Sequence, residues 1–344
     1  MWAQVVHQWG QEVVYEQVPD PVPKPDEVLI RVEACGVGRT VLNYIGGQLG
    51  ARPEQLPRIP GHEVVGVVVQ AGDAVRDIRA GDSVVAYFYL VCGICDFCRQ
   101  SHEPLCRNFA GNVGVARDGG YAEYLVLPAV NALPLPGGIS PVQATAIPDA
   151  VATPYHVCRR AGIGPGDVAV IFGAGGGVGI HMIQMARVFG ADPIAVDLGD
   201  PKLQAARSAG AVAAIDFTAA DFADQVRRAA PRGVTVAIDF VGQPDTLARA
   251  LEILDRRGRL VVLTTFPGVT FPVSPRQMVL TELTIFGSRY ASRWEVAQAA
   301  RLVAEGKITP VVSEVVPLAD VGRLHDRLRR GLLIGRGAVV PAAQ

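Results

Sequence analysis

The sequence predicts an α/β protein in which a doubly wound parallel sheet is inserted in a β-rich domain. Three observations carry this. The first 150 residues hold short Val-rich runs broken by Gly and Pro. Beyond Ala150 such runs alternate with helical patterns. One of the later runs leads directly into the heptapeptide Gly173-Ala174-Gly175-Gly176-Gly177-Val178-Gly179.

Taken in order, residues 27–32, 64–69, 82–88 and 121–126 are too short for helices and are bounded by turn residues, so they read as strands. After Ala150 follow a strand at 168–172, a helix from about 178 to 189, a strand at 194–197 and a helix from about 202 to 209. A strand at 234–240, a helix at 245–254 and a strand at 260–264 complete the series. These strands lack polar alternation, which implies burial on both faces, as in a parallel sheet covered by helices. Past Thr284-Ile285-Phe286-Gly287 the alternation stops. An amphipathic stretch, 293–305, then leads to strand-like pieces ending at Ala338-Val339-Val340. The expected domains are 1–150, 151–288 and a return to the first domain over 289–344.

Of 344 residues, 49% are apolar, and 32 Lys and Arg face 33 Asp and Glu for a formal charge of −1. That is enough apolar material for two cores. A near-zero balance without basic blocks lacks the footprint of a nucleic-acid binder, so no nucleic-acid partner is expected. No apolar run is long enough to span a membrane, and residues 1–10 lack the charged-then-apolar pattern of a signal peptide. The chain reads as cytoplasmic, with no membrane partner.

The heptapeptide follows a strand and opens a helix. Glycines allow a sharp turn and close approach to a pyrophosphate, and the helix N-terminus attracts negative charge. Gly173, Gly175, Gly176, Gly177, Val178 and Gly179 are therefore candidate dinucleotide-binding residues. Asp197 ends the next strand, where a carboxylate can accept both adenosine ribose hydroxyls and repel a 2′-phosphate, which favours NAD(H) over NADP(H). A helix N-cap is the alternative for Asp197. Lys202, in the following helix, is grouped with the cofactor-binding residues.

Cys92, Cys95, Cys98 and Cys106 can converge on one tetrahedral zinc, whose closed shell leaves no position for substrate. The site is expected to stiffen a lobe over about residues 90–108. Cys35 and Cys158 stand alone and read as buried small side chains.

With this cluster, Gly61-His62-Glu63, Gly119-Gly120-Tyr121-Ala122-Glu123-Tyr124 and the glycine loop in this order, the chain resembles the zinc-containing alcohol dehydrogenases of the medium-chain dehydrogenase/reductase family. The resemblance spans essentially the whole chain. It implies a GroES-like catalytic domain split around a Rossmann domain, an NAD-dependent oxidoreductase acting on an alcohol, and a homodimer or homotetramer.

The resemblance also assigns residues. The family's catalytic zinc is held by a Cys in a Cys-Gly-Val-Cys segment, the His of Gly-His-Glu, and a Cys, Asp or Glu just before the Rossmann domain. Here the first segment reads Cys35-Gly36-Val37-Gly38-Arg39-Thr40, so Gly38 stands at the ligand position. His62, Glu63 and Asp149 remain as catalytic residues and as an oxygen-rich shell for a second zinc. Asp149 could equally cap a helix, and whether the second zinc binds stays open. Val41 and Asn43 are further departures. Arg39 and Arg336 match positions that contact cofactor phosphates, where guanidinium geometry suits bidentate binding. Thr40 matches a proton-relay hydroxyl, Thr153 a position beside the nicotinamide, and Phe88 a substrate-pocket aromatic.

The leading expectation is hydride transfer between NAD(H) and a small-molecule alcohol/carbonyl pair. Competing with it are a reductase of conjugated C=C or iminium bonds that lacks catalytic zinc, and a nucleotide-binding protein without hydride chemistry.

Overall fold

The computed structural model describes every residue except Gly50, Ala51, Thr265, Pro267 and 342–344. It divides into two compact units, one formed by Met1–Asp149, Ala291–Gly306 and Pro310–Gln344, the other by Ala150–Tyr290 and Lys307–Thr309.

In the second unit six parallel strands form one sheet in the spatial order Ala213–Asp216, Asp192–Asp197, Val168–Phe172, Val234–Asp239, Leu254–Val262, Thr284–Gly287. The chain enters at the centre, winds outward in one direction, and returns to wind in the other. The order therefore reverses beside the carboxyl end of Val168–Phe172, the place where open α/β sheets bind ligands. Phe172 pairs with Val196 on one side and Asp239 on the other, which brings three strand ends level. Val168, Val170, Phe172, Ile194, Val196, Leu247 and Leu260 share a buried cluster on one face, and Ala169, Ile171 and Ala195 are fully buried on the other, which explains why these strands read as unbroken apolar runs. The helix after the glycine loop runs Gly179–Val188 and the next Asp200–Ser208.

The first unit is built on a seven-stranded sheet in the order Val312–Pro317, Arg336–Val340, Glu27–Val37, Glu63–Ala71, Ser83–Ala86, Ala132–Pro134, with Tyr124–Pro128 also pairing with Glu27–Val37. Two registers position the residues that matter. Antiparallel pairing sets Val37 opposite Gly337 and Gly36 opposite both Ala338 and Glu63. The end of Glu27–Val37 is thus clasped between the starts of two neighbours, so Gly38, Glu63 and Arg336 gather at one end of the sheet.

Some boundaries differ from the sequence reading. The strand expected from residue 121 begins at Tyr124, because Gly120 and Tyr121 donate their amides to Gly61 and Pro60 instead of to a regular ladder. The strand expected to reach Phe88 stops at Ala86, where Tyr87 turns its amide to the Asn131 carbonyl. Among the described residues no helix is long and apolar enough to cross a membrane.

Candidate functional site

In the second unit, Gly173 leaves its strand at φ +75°, a left-handed conformation that favours glycine. A Cβ on Gly179 would lie 2.1 Å from the Gly173 carbonyl oxygen, and one on Gly175 2.6 Å from Lys202 Cβ. Both positions demand glycine for close backbone packing, the role such a loop gives its glycines beside a pyrophosphate. The Nδ1–H of buried His181 donates to the Gly177 carbonyl at 2.7 Å and pins the loop to its helix.

Asp197 is buried. Its Oδ2 accepts from the Gly175 amide at 2.8 Å, its Oδ1 from the Leu198 amide at 2.7 Å, and Lys202 Nζ lies 3.5 Å from Oδ1. The helix beyond it is capped by Gly199, which removes the N-cap alternative. A carboxylate offers about four acceptor positions, so lone pairs remain for ribose hydroxyls, and the residues present fit a dinucleotide. Sequence reasoning passed over Asp239. It is fully buried, accepts from the Val241 and Gly242 amides and from Thr246 Oγ1, and braces the strand end beside the glycine loop. The signal was available, an Asp closing an apolar strand just before a glycine turn. Thr153 is buried in the helix Ala152–Ala161.

In the first unit the Sγ atoms of Cys92, Cys95, Cys98 and Cys106 lie within 4.8 Å of one another. Separations are 3.5 Å for Cys92–Cys106 and 4.0 Å for both Cys92–Cys98 and Cys95–Cys106. Tetrahedral zinc with Zn–S bonds of about 2.3 Å requires sulfurs about 3.8 Å apart, so this donor set fits the ion. The backbone amides of Ile94 and Cys95 pull the Cys92 thiol down to about 6, which favours the thiolate, whereas burial pushes Cys98 up to about 12. Cys35 and Cys158 are buried free thiols.

His62, Glu63 and Asp149 also come together, their ligand atoms within 4.8 Å. Phe88 packs its ring edge-to-face on His62 at 4.6 Å. Thr40 is exposed in the first turn of the helix Arg39–Ile45, and Arg39, also exposed, donates to the Leu328 carbonyl at 3.4 Å. Asp149 lies in a π-helical turn, Ile147–Val151, and the following helix is capped by Val151, so Asp149 is no N-cap.

Arg336 departs from expectation. Its guanidinium, read from the sequence as a phosphate contact, is buried, with Nη2 at 2.7 Å from both Glu63 Oε1 and Asp149 Oδ2. The cause is the register, which starts the Arg336 strand beside that of Glu63. Burial pushes Glu63 up to about 7, helped by the Asp149 charge and opposed by Arg336 and His62. Burial works against the Arg336 cation, but the two carboxylates outweigh it and raise the group above its ordinary value. A second zinc does not fit this arrangement: its two oxygen donors already hold a permanent cation, and position 38 offers no thiolate.

Two family models match the chain. One described as an alcohol dehydrogenase GroES-like domain covers residues 24–137, and one described as a zinc-binding dehydrogenase covers residues 177–305. An alcohol dehydrogenase of Geobacillus stearothermophilus is 33% identical over 341 residues, covering 98% of each chain. An NAD-dependent alcohol dehydrogenase of Sulfurisphaera tokodaii is 30% identical over 340 residues, covering 96% of this chain and 97% of the relative. Among solved structures, that of AibC superposes with a TM-score of 0.92 at 32% identity, covering 100% of this chain and 96% of AibC.

Proposed function

This chain belongs to the zinc-type medium-chain dehydrogenase/reductase family, and from that membership we propose that it is an NAD(H)-dependent oxidoreductase of the alcohol dehydrogenase type. The observation that carries the reading is the glycine loop at the strand-order reversal, with the buried Asp197 carboxylate beside it. When bound, NAD(H) supplies the hydride acceptor or donor. Gly173, Gly175, Gly176, Gly177, Val178 and Gly179 hold its pyrophosphate, Asp197 with Lys202 orients the adenosine ribose, and Thr153 lies by the nicotinamide.

On the substrate side, His62 and Phe88 wall the pocket and exclude water from the reacting carbon. Thr40 Oγ1 relays the proton: it would accept the alcohol's hydroxyl proton while handing its own onward along the relay, and run in reverse when a carbonyl is reduced. The exposed guanidinium of Arg39 suits a phosphate group. The four cysteines hold one zinc, which stiffens their lobe and stays outside the chemistry. Family likeness supports a homodimer or homotetramer, and four thiols free to bind zinc suit the reducing cytoplasm.

One observation favours a second reading. With Arg336 bridging Glu63 and Asp149, the substrate oxygen has no metal to polarise it, which suits acceptors that carry their own activation, namely conjugated C=C or iminium bonds. Both readings are tested by following nicotinamide absorbance with NAD(H) across alcohols, aldehydes, enones and imines. Turnover of simple alcohols supports the first. An enone reduced at carbon while simple alcohols fail supports the second. NADH binding without any turnover overturns both.

A further inference from the structure

We propose that Arg336 itself fills the cation position among His62, Glu63 and Asp149, so that the chain carries zinc at the four-cysteine site alone. This goes beyond either substrate reading and depends on neither.

Gly38 supplies the first argument. Its backbone, φ −128° and ψ 171°, is extended and open to any residue, so conformation does not call for glycine there. Space does while the guanidinium keeps its two carboxylates: a Cβ at position 38 would lie 2.1 Å from Arg336 Nη1 and 2.9 Å from its Cζ, so a side chain there would enter only if the end of Arg336 swung away from Glu63 and Asp149. The guanidinium occupies the volume that a side chain at 38 would enter. A second glycine makes the matching concession to the carboxylate, since a Cβ at Gly36 would lie 2.3 Å from Glu63 Oε2. Two glycines on one strand end thus accommodate the two halves of one ion pair.

The partners supply the second argument. Glu63 is fully buried, and Arg336 Nη2 stands 2.7 Å from its Oε1 and 2.7 Å from Asp149 Oδ2. A zinc ion would need those same oxygens at about 2.0–2.2 Å, inside the contact surface of the guanidinium. The remaining donor, His62 Nε2, lies 3.8 Å from Asp149 Oδ2. The nearest thiol in sequence cannot replace the missing one. Cys35 points to the other side of the strand, against the position that a Cβ of Gly61 would take 2.9 Å from its Sγ. The guanidinium thus offsets one of the two carboxylate charges and takes the space between them that a metal ion would need.

The test is a metal count that does not depend on turnover. The full-length protein, purified without chelator and equilibrated with excess zinc before desalting, is measured by elemental mass spectrometry. One zinc per chain is expected, and two would overturn the proposal. Two variants then separate the glycine from the arginine. Gly38→Cys alone is expected to stay at one zinc and to melt at lower temperature, because its Cβ meets the guanidinium. The double variant Gly38→Cys/Arg336→Leu, which restores a thiol and removes the cation, is expected to take up a second zinc. With cobalt in place of zinc it should gain a second set of visible absorption bands. A second zinc in Gly38→Cys with Arg336 retained, or a folded double variant that stays at one, would overturn the proposal. If the double variant does not fold, the wild-type count still decides.

Discussion

Replacing Arg336 by Met keeps much of the side-chain volume and removes the charge. In the native chain Glu63 is fully buried and Asp149 is 16% exposed at its side chain, and both rest at 2.7 Å from the same nitrogen. Removing one partner of a buried ion pair costs about 3–5 kcal/mol, because the remaining charge is left without compensation. For a unit of this size that corresponds to a fall in melting temperature of roughly 6–20 °C. The loss also has a pH signature. Glu63 titrates near 4.5 unfolded and is raised to about 7 when folded, chiefly by burial. A carboxyl raised in this way contributes stability that is fully present below 4.5 and is lost as pH rises through about 7. Without Arg336, which lowers that value, the folded carboxyl shifts further upward, so the variant's deficit should be small at pH 5 and largest above pH 7. Calorimetric melting of both proteins across this range measures it. A variant as stable as the wild type at neutral pH, with weakened NADH binding instead, would refute the reasoning and return Arg336 to a phosphate contact.

Three further outcomes are expected. Asp197→Asn keeps an acceptor for the Gly175 amide but loses the charge that repels a 2′-phosphate, so the ratio of kcat/KM for NADPH over NADH should rise by roughly 10–100-fold. Gly179→Ala should lower stability by about 1–3 kcal/mol and abolish NADH binding, since the added methyl lies 2.1 Å from a backbone oxygen. Helix propensity alone predicts the opposite sign, a gain of up to about 1 kcal/mol, so thermal melting discriminates. Cys106→Ser removes one of four thiolates, and elemental analysis should find the zinc lost. Limited proteolysis should then cut within residues 90–108, with NADH binding retained by the second unit.

What could be read from the sequence was local. The parallel sheet showed itself because Val170, Phe172, Ile194 and Val196 are buried on one face and Ala169, Ile171 and Ala195 on the other, so no polar alternation interrupts the runs. The glycine loop and the four cysteines each lie within one short segment, and their spacing is itself the geometry. Element ends were legible only approximately. Whether Tyr121 or Phe88 belongs to a strand depends on partner carbonyls elsewhere in the chain, and the backbone turned to Pro60 and Asn131 instead.

The Arg336 arrangement was hidden for a physical reason. Gly38 announces a missing donor, but a gap in a ligand set does not say what fills it. The answer needs two antiparallel registers, Val37 against Gly337 and Gly36 against Glu63, which join segments far apart in the chain. Once those are known, Gly38 changes meaning. An extended glycine with no positive φ to justify it, 2.1 Å from a guanidinium at its notional Cβ, is a steric complement to Arg336 rather than a vacancy in an old metal site. The pair should therefore behave as one unit under mutation, each substitution costing less in the presence of the other than alone.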